Sequence, residues 1–315
     1  MKTVKLVSSA MLSMAIALVS CSGEDGEKGL QGDQGIQGPQ GDQGPQGEPG
    51  ADSPTVDFYF QNGFKGYEGT SDASIISDGT GVNDEELSLD YTFTGFETIE
   101  NRTLFHFDGI GETITSKLME DGQSCSEAFY VNKATLFVYI GYHNTEGYED
   151  SKIKVGFYSE EDPMFVEEEV NWSMANTNDD WGDEGGRSEM WAGPFSGTDD
   201  YSFVLTKGSS AAKGWHPILL PRSVVENWIC NPDSNKGIRL RIDPLSEDIG
   251  FSNLTMVASE SELEDLRPLL IVETENINST TSKSNATNTK SADWEDLSYE
   301  EKMAPLYRFF KSKGE

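Results

Sequence analysis

The sequence predicts an all-β head over residues 54–275, folded as an antiparallel sandwich, preceded by a repeat stalk and followed by a short helical tail. Three observations point there. Short β-rich segments recur between clusters of Gly, Asn, Asp and Ser. Several alternate in character: in Leu104-Phe105-His106-Phe107 and Ile238-Arg239-Leu240-Arg241-Ile242, Leu104 shares a face with His106 and Arg239 with Arg241. Ahead of them Gly23, Gly26, Gly29, Gly32, Gly35, Gly38, Gly41, Gly44, Gly47 and Gly50 stand at strict intervals of three, the period of a triple helix whose crowded axis admits only glycine.

Residues 1–20 read as a signal peptide. Lys2 and Lys5 make a positive start, and Met11 to Val19 supply a mostly apolar core too short to span a bilayer. The segment Leu18-Val19-Ser20-Cys21 resembles the lipobox of bacterial lipoproteins, whose cysteine becomes the lipidated first residue of the mature chain. That resemblance implies acyl chains on Cys21 and attachment to a membrane, since several chains on one residue anchor stably where one does not. An ordinary secretory signal cut nearby is the alternative. Glu24 and Asp25 look like the signals by which Bacteroidetes-type bacteria sort lipoproteins outward, which implies an outer-membrane or cell-surface location.

The stalk, with the anchor, occupies residues 21–53. Only Pro39, Pro45 and Pro49 are imino acids, and Lys28 is the one base among seven acids, so three aligned chains would repel one another. A homotrimer therefore depends on association of the heads or on crowding at a membrane. The alternative is a single extended strand; either way the segment is a spacer of at most roughly 90 Å.

Within the head, strands are expected at Val56–Phe60, Ser74–Ser77, Thr103–Phe107, Ala134–Ile140, Ile153–Tyr158, Tyr201–Thr206, Pro217–Leu220, Ile238–Ile242 and Leu269–Glu273. A helical turn is expected from Pro221 to Trp228, with proline near its start and Val224, Val225 and Trp228 at helical spacing. Residues 276–292, dense in Asn, Ser and Thr, read as a linker. The tail, 293–315, offers Ser298 and Glu301 as a capping box, then Tyr299, Met303, Leu306 and Phe310 on one face, with Pro305 kinking or splitting the helix. Its stripe is expected to dock on the head or a sister chain.

The formal net charge of −32 argues against nucleic acid and anionic lipid surfaces as partners, because both need a basic patch. Lipidation of Cys21 would leave Cys125 and Cys230 in an oxidising exterior, either joined in a disulfide or buried as two thiols.

A family likeness rests on several motifs. Phe60-Gln61-Asn62-Gly63-Phe64-Lys65-Gly66-Tyr67-Glu68-Gly69-Thr70-Ser71-Asp72, then Asn101-Arg102-Thr103-Leu104-Phe105-His106-Phe107-Asp108 and Lys133-Ala134-Thr135-Leu136, resemble the opening of DNRLRE-type domains. Val170-Asn171-Trp172, Trp228, Asn235-Lys236-Gly237-Ile238-Arg239-Leu240-Arg241 and Arg267-Pro268-Leu269-Leu270-Ile271-Val272 continue the likeness. The family's domains are jelly-roll β-sandwiches of secreted microbial proteins, some classed as carbohydrate-binding modules. The resemblance thus implies a noncatalytic recognition or adhesion module for an acidic or matrix polysaccharide. The chain departs from it in the long insert Gly111–Tyr130 and in the acid- and Trp-rich reach from Tyr142 to Trp191.

His106, His143 and His216 stand in separate segments without metalloenzyme spacing, and no nucleophile elbow or phosphate-binding loop is present, so the chain is read as a non-enzyme. A polysaccharide-active enzyme using paired carboxylates is the third reading, after binding module and structural coat or spacer protein. For ligand stacking, Trp181, Trp191, Tyr142 and Tyr148 are candidates by their polar neighbours, whereas Trp172 and Trp228 are expected in the core. Asp179, Asp180 and Asp183, among Asn176, Asn178 and Glu184, are candidate oxygen ligands for structural calcium, although the EF-hand spacing is missing.

Overall fold

A computed structural model describes residues 55–82, 86–186, 204–209, 213–244, 247–277 and 294–314. The signal peptide, Cys21, the Gly-X-Y repeat, most of the linker and Trp191 lie outside the described residues.

The head is mostly β. Its strands are β1 (Thr55–Phe60), β2 (Thr70–Ile76), β3 (Gly81–Val82), β4 (Glu86–Phe93), β5 (Thr98–Phe107), β6 (Phe129–Phe157), β7 (Val204–Ser209), β8 (Gly214–Leu220), β9 (Ile238–Pro244), β10 (Gly250–Val257) and β11 (Leu269–Asn276). All pair antiparallel, in the order β1-β11-β6-β10-β4-β5-β2-β3, with β7 and β8 added on β6. Strand β9 pairs with both β5 and β6, so the sheet curls back on itself. Pro217 is tolerated because, among the described strands, β8 pairs only with β6 and lies at an edge.

The two strands expected at Ala134–Ile140 and Ile153–Tyr158 are parts of one, the 29-residue β6. It serves β11 and β8 with its first half, β10 and β7 at its middle, and β9 at its end. Gly147 sits mid-strand at φ +88°, where a Cβ would stand 2.5 Å from the Ile249 carbonyl oxygen, so the bend admits only glycine.

The main core gathers one face of the strands, including Phe105, Leu136, Val138, Leu240, Leu270 and Val272. Two helices pack on it: α1 (Ile110–Leu118) through Ile110, Ile114 and Leu118, and α3 (Arg222–Cys230) through Val224, Val225, Trp228 and Ile229. Helix α3 begins one residue after Pro221. A single turn, α2 (Cys125–Ala128), lies between α1 and β6, and Cys125 is bonded to Cys230 at the end of α3, with Cα atoms 5.6 Å apart. In the chain-entropy picture, closing about 100 residues stabilises by roughly 4–5 kcal/mol.

The outer faces carry their own small cores. Phe137, Leu269 and Ile271 point away from the main core and meet Met303, Leu306 and Phe309 of the tail helix α4 (Tyr299–Lys313). That explains the run Leu269-Leu270-Ile271-Val272, which is apolar at every position because both faces of β11 are covered. The tail's capping box forms, with the Glu301 N–H donating to Ser298 Oγ and the Ser298 N–H to Glu301 Oε2. Pro305 does not split the helix, which runs unbroken past it. The buried stripe is Met303, Pro305, Leu306 and Phe309, while Tyr299 is 54% exposed and Phe310 only half-buried. On the other side Ala73, Ile75 and Leu104 lie beneath Phe165, Val170, Ala175 and Trp181 of the segment Ser159–Gly186.

Candidate binding and cation sites

The segment Ser159–Gly186 is short of regular structure, so its backbone groups are satisfied by its own polar side chains. Asp162 Oδ2 accepts from the Ser159 N–H at 2.6 Å. Asn171 Oδ1 accepts from Ser173 and Met174, Asn176 Oδ1 from Asn178 and Asp179, and Asp180 Oδ1 from Gly182. The density of Asn and Asp is thus largely turn chemistry. Asp179, Asp180 and Asp183 are exposed, and the three carboxylates expected to ligate calcium do not converge as a group.

Trp181 and Tyr148 also require correction as stacking platforms. Trp181 is 1% exposed, stacks on Tyr158 with ring centroids 5.4 Å apart, and donates its indole N–H to the Asn171 carbonyl. Tyr148 is fully buried and donates its hydroxyl to the Gly250 carbonyl. Burial raises the pKa of both the Tyr148 and Tyr158 hydroxyls. Tyr142, on β6, is 46% exposed and remains available. Trp228 is in the main core; Trp172 is half-buried beside the second cluster, with the Arg102 guanidinium 4.6 Å from its ring.

That guanidinium belongs to a buried polar seam that the alternation of β5 and β9 only hinted at. Arg102 and Arg239, from β5 and β9, are 6% and 1% exposed. Both donate to the Gly185 carbonyl, at 2.6 and 3.0 Å, and Arg239 also reaches the Gly186 carbonyl at 3.1 Å. Arg102 is further paired with Glu100. Gly185 and Gly186 adopt φ of +80° and +68°, and a Cβ on Gly185 would run into Arg102. The arginines therefore clamp the end of the segment to the sheet.

An open groove of about 550 Å³ lies along the same segment, lined by Glu161, Asp162, Met164, Asn178, Asp179, Asp180 and Lys236 among others. Its walls are mostly polar and acidic, with one lysine. A second, of about 580 Å³, runs beside the disulfide between α1 and α3.

The histidines are not brought together: His106 is on β5, His143 on β6 and His216 on β8. His143 shares a hydrogen bond of 2.9 Å with Thr145 Oγ1, which lies 2.7 Å from Ser252 Oγ. All three residues are sealed from solvent, so the chain Ser252-Thr145-His143 joins β6 to β10 as packing.

One acidic group does converge. Asp72 on β2, Glu167 in the segment after β6 and Glu260 just past β10 each place a carboxylate oxygen within 4.8 Å of the others. Asp72 is 1% exposed. Its Oδ2 accepts from the Ser259 N–H at 2.8 Å, and its Oδ1 has no hydrogen-bond partner. Burial, then repulsion from Glu260 and Glu167, pushes the Asp72 carboxyl well above the usual range; burial and Glu260 push Glu167 up to about 7. Nothing in the sequence marked this trio, whose members come from three distant stretches of chain and carry no common motif.

No protein-family model matches the chain, and no curated protein matches it.

Proposed function

We propose that the chain is a lipid-anchored surface protein of a Bacteroidetes-like bacterium that presents a noncatalytic β-sandwich for carbohydrate or matrix binding. The observation that carries this reading is the order of segments: an apolar leader, Cys21 in a lipobox-like setting, ten unbroken Gly-X-Y triplets, then a β head. Such an order suits holding a recognition domain away from a membrane. The jelly-roll assignment of the head belongs to the same proposal, supported by the curled antiparallel sheet and the resemblance to DNRLRE-type domains.

Binding would fall to loops and edges, because one outer sheet face carries α4 and another the segment Ser159–Gly186. Exposed Tyr142, Trp191 outside the described residues, and the acidic groove are the surfaces proposed for the ligand. Walls rich in Glu and Asp suit a neutral or cationic polyol over a polyanion. The second reading, a structural spacer or coat protein whose head drives trimerisation, is favoured by the glycine repeat itself.

A glycan array probed with the mature chain separates the two. Retention on a polysaccharide, weakened about threefold to tenfold by Tyr142→Ala or Trp191→Ala, is the expected result, matching the ~0.5–1.5 kcal/mol of one aromatic contact. A trimer that binds no glycan speaks for the structural role.

A further inference from the structure

We propose that Asp72, Glu167 and Glu260 together bind a calcium ion that fastens the segment Ser159–Gly186 to β2 and to the turn after β10. The problem the ion solves is electrostatic. Asp72 buries a carboxylate whose free oxygen, Oδ1, meets no donor, while two further carboxylates stand within 4.8 Å of it. Glu167 also keeps Oε1 buried without a partner. Among the described residues no lysine, arginine or histidine forms an ion pair with any of the three. A buried carboxylate with two others this close is relieved by taking up a proton or a cation.

The donor set selects the kind of cation. All three groups offer hard anionic oxygens, with no imidazole or thiolate in the group, which suits calcium or magnesium over zinc or copper. Oxygens gathered within 4.8 Å of one another can share one ion, and calcium's six to eight flexible positions accept bidentate carboxylates and water. Magnesium demands a near-ideal octahedron and gives up water reluctantly, which a mostly protein-built site of carboxylates suits less well.

The surrounding bonds orient the group. The Ser259 N–H fixes Asp72 Oδ2, and Ser259 Oγ donates to Glu260 Oε1 at 2.5 Å, so two of the three carboxylates are oriented by one residue. Glu167 lies between Phe165 and Val170, both packed on Ala73 and Ile75 of β2 in the second core. Neutralising the trio therefore acts on the same attachment that the two arginines make at the segment's far end.

The test uses the full chain stripped with EDTA. Calcium chloride should raise its melting temperature by several degrees in a saturable way, bind in calorimetry, and slow proteolysis and amide exchange within 159–186. Magnesium at equal concentration should do less. Glu260→Gln, at an exposed position that folding tolerates, should weaken the calcium response by about tenfold through loss of one charged ligand. Asp72→Asn keeps the acceptor for Ser259 and removes a buried charge, so it should melt higher than the wild type in EDTA and gain nothing from calcium. Calcium at millimolar concentration without effect on the wild type overturns the proposal in favour of shared protons. An equal calcium response in wild type and Asp72→Asn overturns it as well, by placing the ion elsewhere.

Discussion

At the residue scale, burial decides what each ionisable group is allowed to do. His106 in β5 is 7% exposed; burial pulls its pKa down to about 4, against opposing pulls from Asp108 and a bond to Asn235, while Lys236 pushes the same way as burial. Because the unfolded chain keeps a histidine near 6.5, it binds more protons than the folded one between about 4 and 6.5. Stability is therefore lost as pH falls through that window, by up to about 3 kcal/mol from this residue. Urea unfolding of the wild type and His106→Gln at pH 7 and pH 4.5 should show the variant losing markedly less; parallel losses would contradict the assignment. Asp72 and Glu167, with raised values, shift stability the opposite way and cancel in that comparison. Trp181 shows how local composition misleads: polar neighbours in sequence suggested an exposed ring, yet those neighbours spend their polarity on turns and leave the indole over Ala73 and Ile75.

At the element scale, α4 is the clearest case of a helix whose face is chosen by its partner. Phe309 is fully buried against Tyr59 and Phe64, with ring centroids 5.3 and 4.8 Å away, and Arg308 reaches Asp57 at 2.9 Å and Glu273 at 2.7 Å. Phe309→Ala should cost about 3–5 kcal/mol in denaturant unfolding. Arg308→Ala should cost about 1 kcal/mol or less, since that side chain is 45% exposed and its pairs are screened by water. A similar cost for both would mean that charge, not apolar packing, seats the helix. Elements missed in the sequence have physical reasons. Helix α1 is rich in β-branched residues and starts from Gly109, so its propensity is poor and packing against α3 supplies what is lacking. Strand β4 is the exception, since it alternates over its whole length from Glu86 to Phe93, with Leu87 and Leu89 buried, and was legible by its period; β10 alternates only over Leu254-Thr255-Met256, too briefly to stand out.

At the scale of the whole molecule, the proposed anchor and stalk would set where the head can act. Cys21→Ser should release the protein from membranes into the soluble fraction, measured by fractionation; continued retention would exclude lipid attachment at that residue. The mature chain should sediment as a trimer, whereas residues 22–53 alone should be monomeric and lack a cooperative triple-helical melt. Three prolines and an excess of acids leave the backbone entropy of folding, of order 1–2 kcal/mol per residue, poorly offset. Replacing Gly35 with a bulky residue should then remove any triple-helical signal and leave the head folded.

Several features were decided by the sequence alone, because their physics is local or periodic. The β character of the head, the start of α3 at Pro221, the capping box of Ser298 and Glu301 and the glycine period follow from neighbours a few residues apart. Only the tertiary structure decided which residues meet. Whether β6 is one strand or two depends on the partners it finds along its length, and the buried stripe of α4 depends on the aromatic surface facing it. Which carboxylates converge depends on the return of three distant segments to one place, so Asp72, Glu167 and Glu260 meet while the neighbouring acids Asp179, Asp180 and Asp183 do not. Contact across a curled sheet is a non-local property, and no spacing within any one segment encodes it.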